Sequence, residues 1–230
     1  MTETTRLLLL SNSTMPGTPF FTWSKSYVTS FLAGKVSDVL FIPWAGVTIS
    51  FDNYLGFVKE AFATLGLHVR SLHHEKDAVA AVADASCFVV GGGNTFALLA
   101  RLYESGVLEH LRERVLAGAP YIGWSAGANI ACPTIMTTND MPVVQPPSLR
   151  ALNLIPFQLN PHYHELKFAN QGGETRADRL NEFLILNPTR LVLGCRKVCC
   201  WSVTVPNSIC AAKGLRGCLW RASLLKTWCR

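Results

Sequence analysis

Gly123-Trp124-Ser125-Ala126-Gly127 is the segment of this chain best suited to chemistry. It fits G-x-S-x-G and stands between an apolar run over 120–123 and a string of small residues, Ala126, Gly127, Ala128 and Ala131. A serine on so tight a strand-to-helix turn takes a strained backbone, and its neighbours two away on each side must be glycine to avoid collision. The helix that starts behind it aims N–H groups and a positive dipole end at the reacting oxygen. The plainer alternative is an ordinary strand-to-helix turn. A second turn, Gly91-Gly92-Gly93, closes an apolar run over 87–90. It can bring a backbone N–H to the same edge, which with the N–H of Ala126 gives two donors for an oxyanion. Its alternative is a phosphate-cradling loop, but neither G-x-G-x-x-G nor G-x-x-x-x-G-K-[ST] occurs here, so acyl transfer fits better.

A serine nucleophile needs a base, and there are six histidines: His68, His73, His74, His110, His162 and His164. The first three precede the serine turn and read equally as surface residues, and His110 falls on a polar helix face. Asn160-Pro161-His162-Tyr163-His164 differs, because a proline fixes the backbone immediately before a histidine in a loop after an apolar strand. His162 is the expected general base and His164 the reserve. A surface loop histidine is the alternative for either.

Positioning these groups requires a sheet whose strands end side by side. Short apolar strands are expected over 6–10, 38–43, 67–72, 87–90, 120–123 and 190–193. Phe51, Tyr54, Leu55, Val58, Phe62 and Leu65 recur at helical spacing. Further helices are expected over 76–84, from Phe96 through Leu102, over 107–117, after Ser125 and over 175–186. The alternation is βαβα, which predicts an α/β fold with an open, mostly parallel sheet and helices on both faces. Ligands in such sheets bind at the carboxyl ends of the strands, where both glycine turns fall. Beyond Ser125 the chain is proline-rich and loop-like.

With 230 residues, 49% hydrophobic and 16% charged, the chain can bury a large core, and one α/β domain is the prior. The short apolar run over 7–10 is too short for a signal-peptide core, and no stretch of eighteen apolar residues offers a spanning helix. A soluble cytoplasmic protein without membrane or nucleic-acid partners is expected. The net charge of +6 argues otherwise only until it is located: residues 183–230 hold eight basic side chains and no acidic one, and residues 1–182 sum to −2. Six of the eight cysteines, from Cys195 to Cys229, crowd the same end. Their spacing does not match paired zinc ligands, and a disulfide framework conflicts with a chain lacking a signal peptide. The preferred reading is a tail over 195–230 that is foreign to the fold of 1–194, from an alternative exon or a shifted frame. A weak strand is expected over 201–205.

Several segments together resemble the peptidase E family, the alpha-aspartyl dipeptidases. They are Leu7-Leu8-Leu9-Leu10-Ser11-Asn12-Ser13-Thr14, Phe41-Ile42-Pro43, Ala45-Gly46-Val47-Thr48, Gly91-Gly92-Gly93-Asn94-Thr95-Phe96, Tyr121 to Asn129, Thr137-Thr138-Asn139-Asp140-Met141-Pro142 and Asn160-Pro161-His162. The resemblance covers about residues 6–194. It implies a flavodoxin-like fold related to the class I glutamine amidotransferases, and a cytoplasmic serine peptidase that takes small Asp-X peptides without a metal or cofactor. Carried over, Ser125 would be the nucleophile, His162 the base, and Gly93 with Ala126 the oxyanion hole. Arg176 would meet the substrate's aspartate carboxylate, for which a guanidinium is the bidentate partner. Asp140 lies in the family's Thr-Asn-Asp motif. The family's third triad member is a glutamate, whose place is taken here by Lys197. Asp140 would substitute for it only if its loop came within hydrogen-bonding reach of His162. Two rival expectations follow: a homologue or spliced product without activity, and an α/β-hydrolase esterase using Ser125, Asp140 and His162 in that order.

Overall fold

The computed structural model describes residues 5–165, 173–196, 200–205 and 217–221. Its centre is a six-stranded sheet in the order β3-β2-β4-β5-β1-β8. Five strands are parallel: β1 (Thr5–Leu10), β2 (Asp38–Ile42), β3 (His68–Ser71), β4 (Phe88–Val90) and β5 (Tyr121–Trp124). The sixth, β8 (Cys200–Val205), runs antiparallel along β1, pairing Thr5 with Val205 through Leu10 with Cys200. The fold class is the α/β class that the alternation implied.

Strands covered on both faces read as continuous apolar runs, and Leu7-Leu8-Leu9-Leu10 shows why. Successive side chains point to opposite faces, so Leu7 and Leu9 join one core cluster while Leu8 and Leu10 join the other. The first core is closed by α3 (Ala78–Asp84), α4 (Thr95–Glu104), α5 (Val107–Leu116) and α6 (Ala126–Asn129). The second is closed by α1 (Lys25–Leu32) and α2 (Phe51–Ala63). Helix starts follow their caps: Ser50 accepts from Asn53 N, Asp77 from Ala80 N and Asn94 from Ala97 N.

The proline-rich stretch leads into a second sheet that the single-sheet expectation did not include. It comprises β6 (Gln158–Pro161), β7 (Leu191–Cys195) and β9 (Gly217–Arg221), with β6 parallel and β9 antiparallel to β7. Helix α7 (Arg176–Leu186), opened by a Thr175–Asp178 capping box, packs Leu180 and Leu184 with Val192 and Tyr163. Among the described residues no helix is long and apolar enough to cross a membrane.

Candidate active site

The carboxyl ends of β1, β2, β4 and β5 open on one cavity of about 660 Å³, whose lining includes Asn12, Ala45, Gly93, Ser125, Asp140 and His162. Ser125 follows β5 directly, with φ 51° and ψ −111°, a conformation that L residues rarely adopt. Two backbone contacts hold that bend. Ser125 N donates to Leu10 O at 3.0 Å, and Asn129 N donates to Ser125 O at 2.9 Å. Both flanking glycines are sterically required. A Cβ at Gly123 would sit 2.4 Å from Gly127 O, and one at Gly127 would sit 2.2 Å from Val90 O.

Ser125 Oγ lies 2.9 Å from His162 Nε2, the distance at which a hydroxyl donates to an imidazole nitrogen. His162 also has an unusual backbone, with φ 58°, just past β6. Its N–H donates to Ser11 Oγ at 3.0 Å, and Ser11 Oγ in turn donates to Cys195 O at 2.9 Å. Asn139 Nδ2 donates to Pro161 O, and Asn160 Nδ2 donates to Asn139 Oδ1 and Thr137 O. The histidine therefore hangs from the ends of β1 and β7 and from the Thr-Asn-Asp loop.

Gly93 lies beside Ser125 in the cavity wall with φ 141°, and a Cβ there would come within 2.2 Å of Ala45 O. The loop around it is pinned by Gly91 N to Ile42 O and by Asn94 N to Ala45 O. Among the described residues the N–H groups of Gly93 and Ala126 have no protein acceptor. Two uncommitted donors beside a serine hydroxyl are what a tetrahedral oxyanion requires.

Asp140 and Arg176 are placed differently from the serine and histidine. Asp140 lines the cavity, but it is not hydrogen-bonded to His162. Its Oδ2 accepts from Thr95 N at 2.7 Å, Thr95 Oγ1 at 2.5 Å and Thr138 Oγ1 at 3.1 Å. The aspartate thus sits at the start of α4, where N–H groups attract a carboxylate, with its side-chain bonds going to Thr95 and Thr138. Arg176 opens α7 and lines a neighbouring cavity of about 410 Å³ with Arg179 and His164; Asp140 borders both cavities. Arg176 Nη1 is buried with no hydrogen-bond partner among the described residues, and desolvation followed by the nearby Arg179 charge lowers its pKa. Lys197 lies outside the described residues.

Other histidines stand apart. His68 Nδ1 is 3.1 Å from Asp38, and His110 is exposed. One set of described side chains has metal-ligand spacing: Asp52, His73 and His74, whose donor atoms lie within 4.8 Å of one another. None of the three lines the serine cavity. Sequence reasoning gave no role to Ser11, Asn139, Asn160 and Thr95, although all lie in segments that carried the resemblance. Their side chains hold other site residues, which residue spacing does not reveal.

Comparison with known proteins places the chain in a family. The model of peptidase family S51 matches residues 7–204, past the compositional step at Gly194. Peptidase E of Shewanella denitrificans is 48% identical over 186 residues, 81% of this chain and 79% of its own. Peptidase E of Salmonella typhimurium is 47% identical over 188 residues, 82% of each chain. A candidate peptidase E from Listeria monocytogenes EGD-e, solved at 1.5 Å, superimposes with a TM-score of 0.65 at 25% identity, covering 95% of this chain and 98% of its own. With the family model spanning most of the sequence and relatives near half identity, the chain belongs to peptidase family S51 and is a serine peptidase.

Proposed function

We propose that this peptidase hydrolyses dipeptides with an N-terminal aspartate, acting in the cytoplasm through an acyl-enzyme on Ser125. The observation that carries the reading is the 2.9 Å contact between Ser125 Oγ and His162 Nε2 at a strained strand-to-helix bend. Ser125 Oγ attacks the scissile carbonyl carbon as its proton passes to His162 Nε2. The carbonyl oxygen takes the negative charge and is met by the N–H groups of Gly93 and Ala126. Collapse expels the amine, which leaves with the proton from His162. Water then attacks the ester, giving its proton to His162, and the second collapse frees aspartate and restores the serine.

Arg176 is the proposed partner of the aspartate side chain. A buried guanidinium nitrogen without an acceptor supports that role, since a carboxylate would satisfy it in a fork geometry. Asp140 contributes by fixing the start of α4 and the wall between the two cavities. The body over 1–194 is the proposed peptidase unit, completed at its sheet edges by β8 and β9, with 195–230 otherwise divergent in composition and Lys197 standing where the family's acid is expected.

Hydrolysis of Asp-Leu by the wild-type protein, Ser125→Ala and Lys197→Glu tests the reading. Wild type is expected to be active and Ser125→Ala to lose on the order of 10⁴-fold or more. Lys197→Glu is expected to raise kcat, because a lost triad carboxylate costs about 10⁴ elsewhere. Activity unaffected by Ser125→Ala would overturn the mechanism. Equal rates on Ala-Leu and Asp-Leu would overturn the specificity.

A further inference from the structure

Tyr54 lies on α2, at a position whose spacing marks it as core, and it is 7% exposed. Its hydroxyl nevertheless has two polar partners. Trp124 Nε1 is 2.9 Å away, and Gly92 O is 3.1 Å away. The direction of this chain is fixed by chemistry. Indole nitrogen only donates and a carbonyl only accepts, so Trp124 N–H donates to Tyr54, and Tyr54 O–H donates to Gly92.

Gly92 C=O and Gly93 N–H belong to one peptide unit, and there are no cis peptide bonds among the described residues. In a trans peptide the two groups point in opposite directions. A hydroxyl holding the carbonyl on one side therefore holds the N–H on the other. Gly91-Gly92-Gly93 needs such a hold, because glycine permits either orientation of the peptide at little steric cost. The backbone bonds at Gly91 N and Asn94 N pin the loop's ends but do not engage the Gly92–Gly93 peptide itself. Trp124 is also the residue immediately before Ser125, so one hydrogen-bonded chain joins the serine bend to the opposite wall.

We propose that Tyr54 is a positioning residue that clamps the Gly92–Gly93 peptide through the Gly92 carbonyl, so that the Gly93 N–H faces the developing oxyanion. The inference rests on the proposed Ser125 mechanism and adds to it the group that keeps one oxyanion donor in place. Burial raises the Tyr54 pKa well above the ordinary phenol range, which keeps the donated proton on the oxygen.

The test is steady-state hydrolysis of Asp-Leu by wild type, Tyr54→Phe and Ser125→Ala, with a melting curve for each. Tyr54→Phe keeps the ring and removes the clamp. Its kcat is expected to fall about 10- to 100-fold, short of the 10²- to 10³-fold reported by deleting a donor outright, with KM within about twofold. Unchanged kcat beside an inactive Ser125→Ala overturns the clamp and leaves the serine mechanism standing. A raised KM at constant kcat assigns Tyr54 to substrate contact and overturns the proposal as well. An active Ser125→Ala overturns the serine mechanism and the clamp with it. If Tyr54→Phe does not fold, Trp124→Phe probes the same chain from its other end, with kcat expected about threefold lower or more at constant KM. No change in kcat there refutes the clamp.

Discussion

Ser11→Ala isolates the tether of His162, the proposed base. Ser11 Oγ takes the His162 N–H and donates to Cys195 O, which also accepts from Tyr163 N. Removing the hydroxyl therefore leaves the carbonyl with a partner and takes the Ser11 acceptor from the His162 N–H, at about 1–3 kcal/mol of stability. For a protein of this size that corresponds to a fall in Tm of roughly 2–12 °C. The kinetic effect comes from the backbone. His162 stands at φ 58°, a left-handed conformation that costs an L residue about 1–2 kcal/mol, so the residue relaxes when its tether goes. Losing about 1.4 kcal/mol of bias reduces the aligned population roughly tenfold, which lowers kcat by about that factor and leaves KM nearly unchanged. The assay is Asp-Leu hydrolysis over a range of substrate concentrations, alongside thermal melting. A kcat within twofold of wild type, at a lowered Tm, would show that the bond serves stability alone and would refute the tether.

Gly127→Ala is expected to cost about 1–3 kcal/mol by overpacking, because the new Cβ meets Val90 backbone that cannot yield. Helix propensity offsets up to about 1 kcal/mol of this, so chemical denaturation with a net stabilisation would contradict the steric account. Arg176→Ala is expected to reduce kcat/KM for Asp-Leu by about 10- to 100-fold while sparing Ala-Leu, and equal losses on both would remove the carboxylate role. Burial pushes the Cys87 and Cys132 thiols up to about 12, so both stay protonated at pH 8. Iodoacetamide at that pH is expected to leave them unmodified in the folded protein and to label them after denaturation, as peptide mass spectrometry would show. Labelling of the folded protein at either cysteine would contradict their burial.

The parts of the molecule that were legible in the sequence are those governed by local pattern. Leu7 to Leu10, Phe88 to Val90 and the two glycine turns announce interior strands and their ends, because burial on both faces and forbidden Cβ positions leave marks on residue type. Strand β6 left only a faint mark: an apolar strand is expected ahead of the Asn-Pro-His loop, but Gln158-Leu159-Asn160-Pro161 is short and half polar, and its place comes from pairing with β7, thirty residues on. The second sheet was therefore missed. Tyr54 was legible as core and silent as a donor, since helical spacing reports which way a ring points and nothing about its hydroxyl. Asp140 was visible as an acid, but the helix start that binds it is a property of the assembled fold.

The pairing of β1 with β8 dictates when this molecule can be finished. Residues 5–10 leave the ribosome early, yet the strand that flanks them on their outer side, 200–205, is made nearly two hundred residues later. Until then β1 has its β5 neighbour on one side and bare amide and carbonyl groups on the other, a template for any passing chain. Synthesis at roughly 5–20 residues per second needs on the order of ten seconds or more to reach that strand, longer than most small domains take to fold, so the border stays open for that interval. A stop anywhere before residue 200 would leave the nascent product with that raw border permanently open, and its fate would be clumping rather than a smaller working enzyme.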